Sequence, residues 1–199
     1  MTIKVSEELD TMPLSQRISS AMLTLLLAGG SIGLVPVIAA PARAKLVAQV
    51  ASEAALQRAN ELSQQALTLY QQGRYDEAEP LLQQSLEIRR EQLGDHHPDV
   101  ATSLNNLALL YKAQGHYDEA EPLLQQSLNI YREQLGERHP DVATALNNLA
   151  LLYEAQGHYD EAEPLHQQSL EIRREQLGDR HPDVAQSLNN LAVLYREQG

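Results

Sequence analysis

The sequence predicts an all-α protein, a solenoid of antiparallel helix pairs stacked in a single array. Three observations carry this expectation. Residues recur at an interval of 42: Gly73, Gly115, Gly157 and Gly199; Gly94, Gly136 and Gly178; Pro98, Pro140 and Pro182. Each interval holds two apolar stripes of helical spacing, separated by one of these glycines. The apolar residues are small or medium in size, for 43% of the 199 residues are hydrophobic while Phe and Trp are absent. Self-similarity at a fixed period of this length marks a stacked array, because one unit cannot bury its apolar face alone.

In chain order, the first element is Ala21–Ala40 (AMLTLLLAGGSIGLVPVIAA), twenty residues without a charge, preceded by Arg17 and followed by Arg43 and Lys45. Ala42-Arg43-Ala44 places small residues at both positions that a signal peptidase reads, so residues 1–44 are expected to be a secretory signal cleaved after Ala44. The alternative is a retained membrane anchor, since twenty apolar residues can span a bilayer. Glu7, Glu8 and Asp10 weaken the basic start of a signal, and Gly29, Gly30, Gly33 and Pro36 weaken an uninterrupted helix. The expected location is outside the cytoplasm, periplasmic or secreted, with a single-pass anchored chain as the alternative. Residues 45–57 are a helical lead-in that extends the first repeat helix or precedes it.

Four units follow: residues 58–99, 100–141, 142–183, and a partial fourth at 184–199 that holds a first helix only. Val100–Asp141 and Val142–Asp183 differ at six of 42 positions. The first helix of the second unit is expected to run from Pro98 to Gln114. Pro98 suits the first helical position, Asp99 suits the positive end of the helix dipole, and Gly115 suits a left-handed C-terminal residue. Leu104, Leu107, Ala108 and Tyr111 form its stripe. The second helix begins near Tyr117 or Asp118 and carries Ala120, Leu124, Leu128, Tyr131 and Leu135 inward; Gly136 closes it. Pro122 is placed in or just after the first turn, where its missing N–H has little to lose. Ala108 and Ala120 allow the two helix axes to approach closely. The final first helix, Pro182–Gln198, keeps the stripe Leu188, Leu191, Ala192 and Tyr195. It is expected to leave an adhesive face, either because the array is truncated or because a second chain covers it.

This pattern resembles the tetratricopeptide repeat: Leu104, Leu107, Ala108, Tyr111, Gly115, Tyr117, Ala120 and Leu124 match its signature positions. Leu stands for the family's frequent Trp, and Ser127 stands where Ala is common. The 42-residue period, the NNLA run and the LG-x-x-HPDVA linker resemble the kinesin light chain subclass. The resemblance covers residues 58–199. It implies a right-handed superhelix whose first helices line the concave side and hold extended peptides through Asn amides. Asn105, Asn106, Asn147, Asn148, Asn189 and Asn190 are therefore the candidate peptide-binding residues. An amide carries both a donor and an acceptor, so it suits a peptide group of either polarity. Equally open is a packing role, in which one Asn of each pair bonds a neighbouring repeat. A carboxylate-clamp reading is disfavoured, because Thr102, Thr144 and Gln186 hold the outer position and Lys112 becomes Glu154 one unit later. Ser63-Gln64 replace the Asn pair in the first unit, and Gln65 replaces a Leu there, as suits a polar cap.

Other function classes find no support. The net charge of −12 argues against nucleic acid as a partner, since phosphate binding needs a basic surface. Without cysteine there is neither a disulfide nor thiolate chemistry. His97, His139 and His181 are helix-entry residues, one whole repeat apart and so too far from one another to share a metal. His116 and His158 are turn residues. His166 replaces Leu82 and Leu124 and is expected to be partly buried, neutral or bonded to water. Asp118, Glu119 and Glu121 read as a solvated face. No catalysis, cofactor or metal is expected. The expected function is a protein–protein interaction scaffold. The alternatives are the interaction fragment of a larger signalling or enzyme protein, or a self-assembly module.

Overall fold

The computed structural model describes residues 40–199; residues 1–39, and with them the apolar stretch up to residue 39 and all but the last residues of the expected signal or anchor, lie outside them. Among the described residues the protein is all-α. Seven helices follow in order: α1 (Ala40–Gln71), α2 (Tyr75–Leu93), α3 (Pro98–Gln114), α4 (Tyr117–Leu135), α5 (Pro140–Gln156), α6 (Tyr159–Leu177) and α7 (Pro182–Gln198). Residues 45–57 are continuous with α1 rather than a separate helix. None of the described helices is long and apolar enough to cross a membrane.

The helix boundaries have local causes. His97, His139 and His181 cap α3, α5 and α7: each Nδ1 accepts the backbone N–H of the Asp two residues on, at 3.1, 3.2 and 3.2 Å. This satisfies one of the N–H groups that a helix start leaves without an internal partner. Proline occupies the first turn of each. At the other end of α3, Gly115 is left-handed (φ 80°, ψ 10°). Its N–H reaches Lys112 O at 3.0 Å and His116 N–H reaches Tyr111 O at 2.8 Å, closing the helix and turning the chain. Gly136 differs, with φ 88° and ψ 157°, a region open to glycine almost alone.

Pro122 stands just after the first turn of α4, but its missing N–H is not without cost. The first bond of α4 is Ala120 N–H to His116 O at 3.1 Å. Two residues further in, Pro122 therefore withholds a bond that Asp118 O would have accepted within the helix.

Consecutive helices are antiparallel. Ser127, past the middle of α4, touches Ala101 at the start of α3, while His166, before the middle of α6, touches Glu154 near the end of α5. Ala108, Ala120, Ala150 and Ala162 are wholly buried at these crossings, with Leu104, Leu124, Leu146 and Leu152 filling the layer between. Stripe residues thus fall where their spacing placed them. The successive first helices α3 and α5 also touch each other. In the last helix, Leu191 and Leu194 are buried against the preceding repeat, whereas Leu188 (44% exposed) and Tyr195 (47%) are bare.

Polar bonds recur with the repeat. Ser85, Ser127 and Ser169 donate to Ala59 O, Ala101 O and Ala143 O at 2.8, 2.8 and 2.7 Å. The hydroxyl at a position where the family favours Ala thus ties the two helices of one repeat. Between repeats, Tyr111, Tyr153 and Tyr195 donate to Glu79, Glu121 and Glu163 at 3.0, 2.9 and 2.9 Å. Glu121 is accordingly a structural acceptor, not one member of a merely solvated acidic face. Burial pushes the Tyr111 and Tyr153 hydroxyls above the usual phenol range.

Candidate peptide-binding face

The paired asparagines lie on the first helices, in the turn between Leu104 and Leu107 and its equivalents, where the core face gives way to the side on which successive first helices meet. Asn148 Nδ2 donates to Asn105 Oδ1 at 2.9 Å, and Asn190 Nδ2 donates to Asn147 Oδ1 at 2.8 Å. Each bond spans 43 residues, one more than the repeat. The second Asn of one repeat therefore reaches back to the first Asn of the repeat before it, and all the bonds run in one direction.

This ladder divides the six candidates. Asn147 and Asn148 are buried, at 4% and 9% exposure. Asn105, Asn106 and Asn190 are half-buried and Asn189 is exposed. Among the described residues, Asn106 and Asn189 donate and accept no side-chain hydrogen bond; they stand at the two open ends of the ladder. Beside it run Leu109, Leu151 and Val193, all half-buried on the same helices. The equivalent positions Lys112, Glu154 and Arg196 continue the surface. Burial holds the Lys112 ammonium below its usual range, with Glu154 opposing that shift. Thr102 and Thr144 are exposed and bond the carbonyls of Pro98 and Pro140, each at 3.2 Å.

His166 corrects an expectation. It is wholly buried, and its Nε2 meets Glu154 Oε1 at 2.9 Å rather than water. Its Nδ1 is buried with no partner. Burial lowers its pKa, Glu154 opposes this, and Arg173 and Lys112 reinforce it. His116 and His158 lie in turns as expected, each ring 6.3 Å from the ring of Tyr111 or Tyr153. No group of three or more His, Asp or Glu among the described residues could hold a metal ion.

Two sets of residues escaped the sequence reading: the Tyr–Glu ties between repeats, and the buried Arg89 and Arg173, whose guanidinium groups bond serines of the next repeat. A signal for the first existed, since Glu79, Glu121 and Glu163 recur at 42 residues as faithfully as the tyrosines do.

This arrangement of capped, glycine-punctuated helix pairs is that of a repeat scaffold, and the comparison with known families agrees. The family model described as tetratricopeptide repeat matches residues 57–133, 113–175 and 141–199, and the chain belongs to that family. Its relatives are of the kinesin light chain-like type. A kinesin light chain-like protein of Podosopora anserina with nearly identical TPR-like repeats is 32% identical over 72% of this chain and 68% of its own, with a TM-score of 0.66. BtubC (BKLC) from P. vanneervenii is 30% identical over 71% of this chain, with a TM-score of 0.64; the matched part is 56% of BtubC, just over half its length. The first TPR of Spaghetti (RPAP3), solved with the HSP90 peptide SRMEEVD, is 17% identical over 70% of this chain and 92% of its own, with a TM-score of 0.50. That likeness is one of fold alone. No curated protein sequence matches the chain. A fold of this family is a scaffold for protein–protein interaction.

Proposed function

We propose that the protein holds an extended peptide segment of a partner protein along its first helices, between the open amides at the ends of the Asn ladder. The observation that carries this is the division within the ladder. The buried Asn147 and Asn148 spend their amides on neighbouring repeats, while Asn106 and Asn189 keep a free donor and acceptor near the half-buried Leu109, Leu151 and Val193. An apolar row flanked by amides offers anchors for side chains and hydrogen bonds for a peptide backbone. Peptide binding by the Spaghetti repeat is consistent with such a use of the fold. With Thr102, Thr144 and Gln186 at the outer position, the segment is an internal one rather than a C-terminal carboxylate. Catalysis forms no part of this reading. Residues 1–44 are proposed to direct export or to anchor the chain.

The test is selection of a random-peptide display library on immobilised protein, followed by titration of the selected peptides. Asn106→Ala with Asn189→Ala is expected to weaken binding while stability changes by no more than ~0.5 kcal/mol, as at most surface sites. Asn148→Ala with Asn190→Ala is expected to lower the melting temperature. If the first pair leaves every selected peptide bound as before, the ladder is packing only and the assignment fails.

A further inference from the structure

The six differences between repeats 2 and 3 are Ser103/Ala145, Lys112/Glu154, Leu124/His166, Asn129/Glu171, Tyr131/Arg173 and Glu137/Asp179. They are not scattered. Glu154 and His166, two of the six, bond each other. Glu171 receives Arg138 at 2.7 Å, whereas one repeat earlier the equivalents are His96 and Asn129, and His96 turns to Glu133 instead. The remaining buried pair, Ser103/Ala145 with Tyr131/Arg173, belongs to the boundaries between repeats.

At the first boundary Arg89 of α2 is 8% exposed; it donates to Ser103 Oγ of α3 and, at 2.7 Å, to Asn60 Oδ1 of α1. At the third, Arg173 of α6 donates to Ser187 Oγ of α7 at 2.8 Å and to Asp183 O at 3.1 Å. Each serine already donates to the carbonyl four residues back, Asp99 O at 3.2 Å and Asp183 O at 3.1 Å. Its lone pairs are thereby turned towards the guanidinium. At the second boundary the equivalent residues are Tyr131 and Ala145, both buried. Tyr131 needs no acceptor on the next helix, because its hydroxyl bonds Thr102 Oγ1 of its own repeat at 2.8 Å. The pairs are therefore Arg–Ser, Tyr–Ala and Arg–Ser. A guanidinium set against Ala145 would be buried with an N–H unpaired, which is costly for a charged donor. Burial already presses the pKa of both arginines downward.

We propose that these positions form a matching code between neighbouring repeats. An Arg in a second helix is matched by Ser on the following first helix and a Tyr is matched by Ala, so that each buried donor at a repeat boundary keeps its acceptor.

The test is a set of substitutions in the full chain, read by thermal melting. Ser103→Ala, which sets Arg89 against a methyl group, is expected to lower the melting temperature by about 5–10 °C for a chain of this size. Tyr131→Arg is expected to do the same at the second boundary, and adding Ala145→Ser is expected to recover at least half of that loss. Ala145→Ser by itself is expected to shift melting by no more than ~2 °C. Should Tyr131→Arg fail to fold, the first boundary decides: Arg89→Tyr with Ser103→Ala is expected to melt above Ser103→Ala. Double variants whose shifts equal the sum of their single shifts would show that the facing residues do not read each other, and the code would be refuted.

Discussion

Replacing His166 is the most informative single perturbation of the core. Repeat 2 carries Lys112 and Leu124 where repeat 3 carries Glu154 and His166. The double variant Glu154→Lys, His166→Leu therefore installs a pair that this fold already accommodates. In the native protein the buried Nδ1 lacks a partner, and an unsatisfied buried polar atom costs about 1–3 kcal/mol. The bond from Nε2 to Glu154 returns part of that, about 0.5–1.5 kcal/mol. The double variant removes both terms and is expected to gain about 1 kcal/mol near neutral pH, or roughly 2–4 °C in melting temperature. The pH dependence follows from the groups around the ring: Glu154 on α5, Lys112 on α3 and Arg173 on α6. Burial outweighs Glu154, so the folded imidazole titrates below the ordinary histidine range. As pH falls through the unfolded value, the unfolded chain takes up the proton first. The stability contribution is thus complete above ~6.5 and is lost progressively as pH drops towards the folded pKa. Urea titrations followed by circular dichroism from pH 8 to pH 5 should show the gap between variant and wild type widening in acid. A gap that stays constant, or one that narrows because imidazolium and Glu154 form a strong pair, would refute the reasoning.

Gly136→Ala is expected to cost about 1–3 kcal/mol, because φ 88° with ψ 157° excludes a side chain, whereas Gly115→Asn in its left-handed cap should cost less; comparative melts decide. Ser127→Ala removes a buried bond to Ala101 O and is expected to cost about 1 kcal/mol by urea titration. Tyr153→Phe, which releases Glu121, is expected to cost about 0.5–1.5 kcal/mol, and an unchanged midpoint would show the tie to be idle. Fractionation of the expressed full-length chain, with N-terminal sequencing, is expected to find it exported or membrane-bound; a cytoplasmic product that still begins at Met1 would remove both membrane readings.

Much of the fold was legible because glycine, proline and alanine act locally. Pro98 and Gly115 bound α3 where a first helical position and a left-handed cap require them, and Ala108 and Ala120 lie wholly buried at the crossing they were read to permit. What stayed hidden depends on reach across space. A 42-residue period places Asn105 in register with Asn147, yet the bond runs from Asn148, a diagonal of 43 residues that periodicity alone does not pick out. Glu121 looked like one more acid in a first turn, because nothing local reveals the hydroxyl of Tyr153 arriving from the next repeat. A polar side chain at an apolar position ordinarily finds water, so the sequence points to a partly buried His166; in the fold Glu154 reaches it first.

The alternation of boundary pairs bears on how such an array can lengthen. Copying a single repeat in tandem would set Arg173 before Ala145, or Tyr131 before Ser103, and either junction breaks the pairing. Copying repeats 2 and 3 together sets Arg173 before Ser103, a junction of the same kind as Arg89 with Ser103. The extension that keeps every boundary pair intact is then two repeats rather than one. The second helices follow this spacing: Tyr75–Asp95 and Tyr159–Asp179, two repeats apart, differ only at Leu82 and His166, while Tyr117–Glu137 departs from Tyr75–Asp95 at Asn129, Tyr131 and Glu137; the first helices do not, for Pro98–Gly115 differs from the adjacent Pro140–Gly157 only at Ser103 and Lys112.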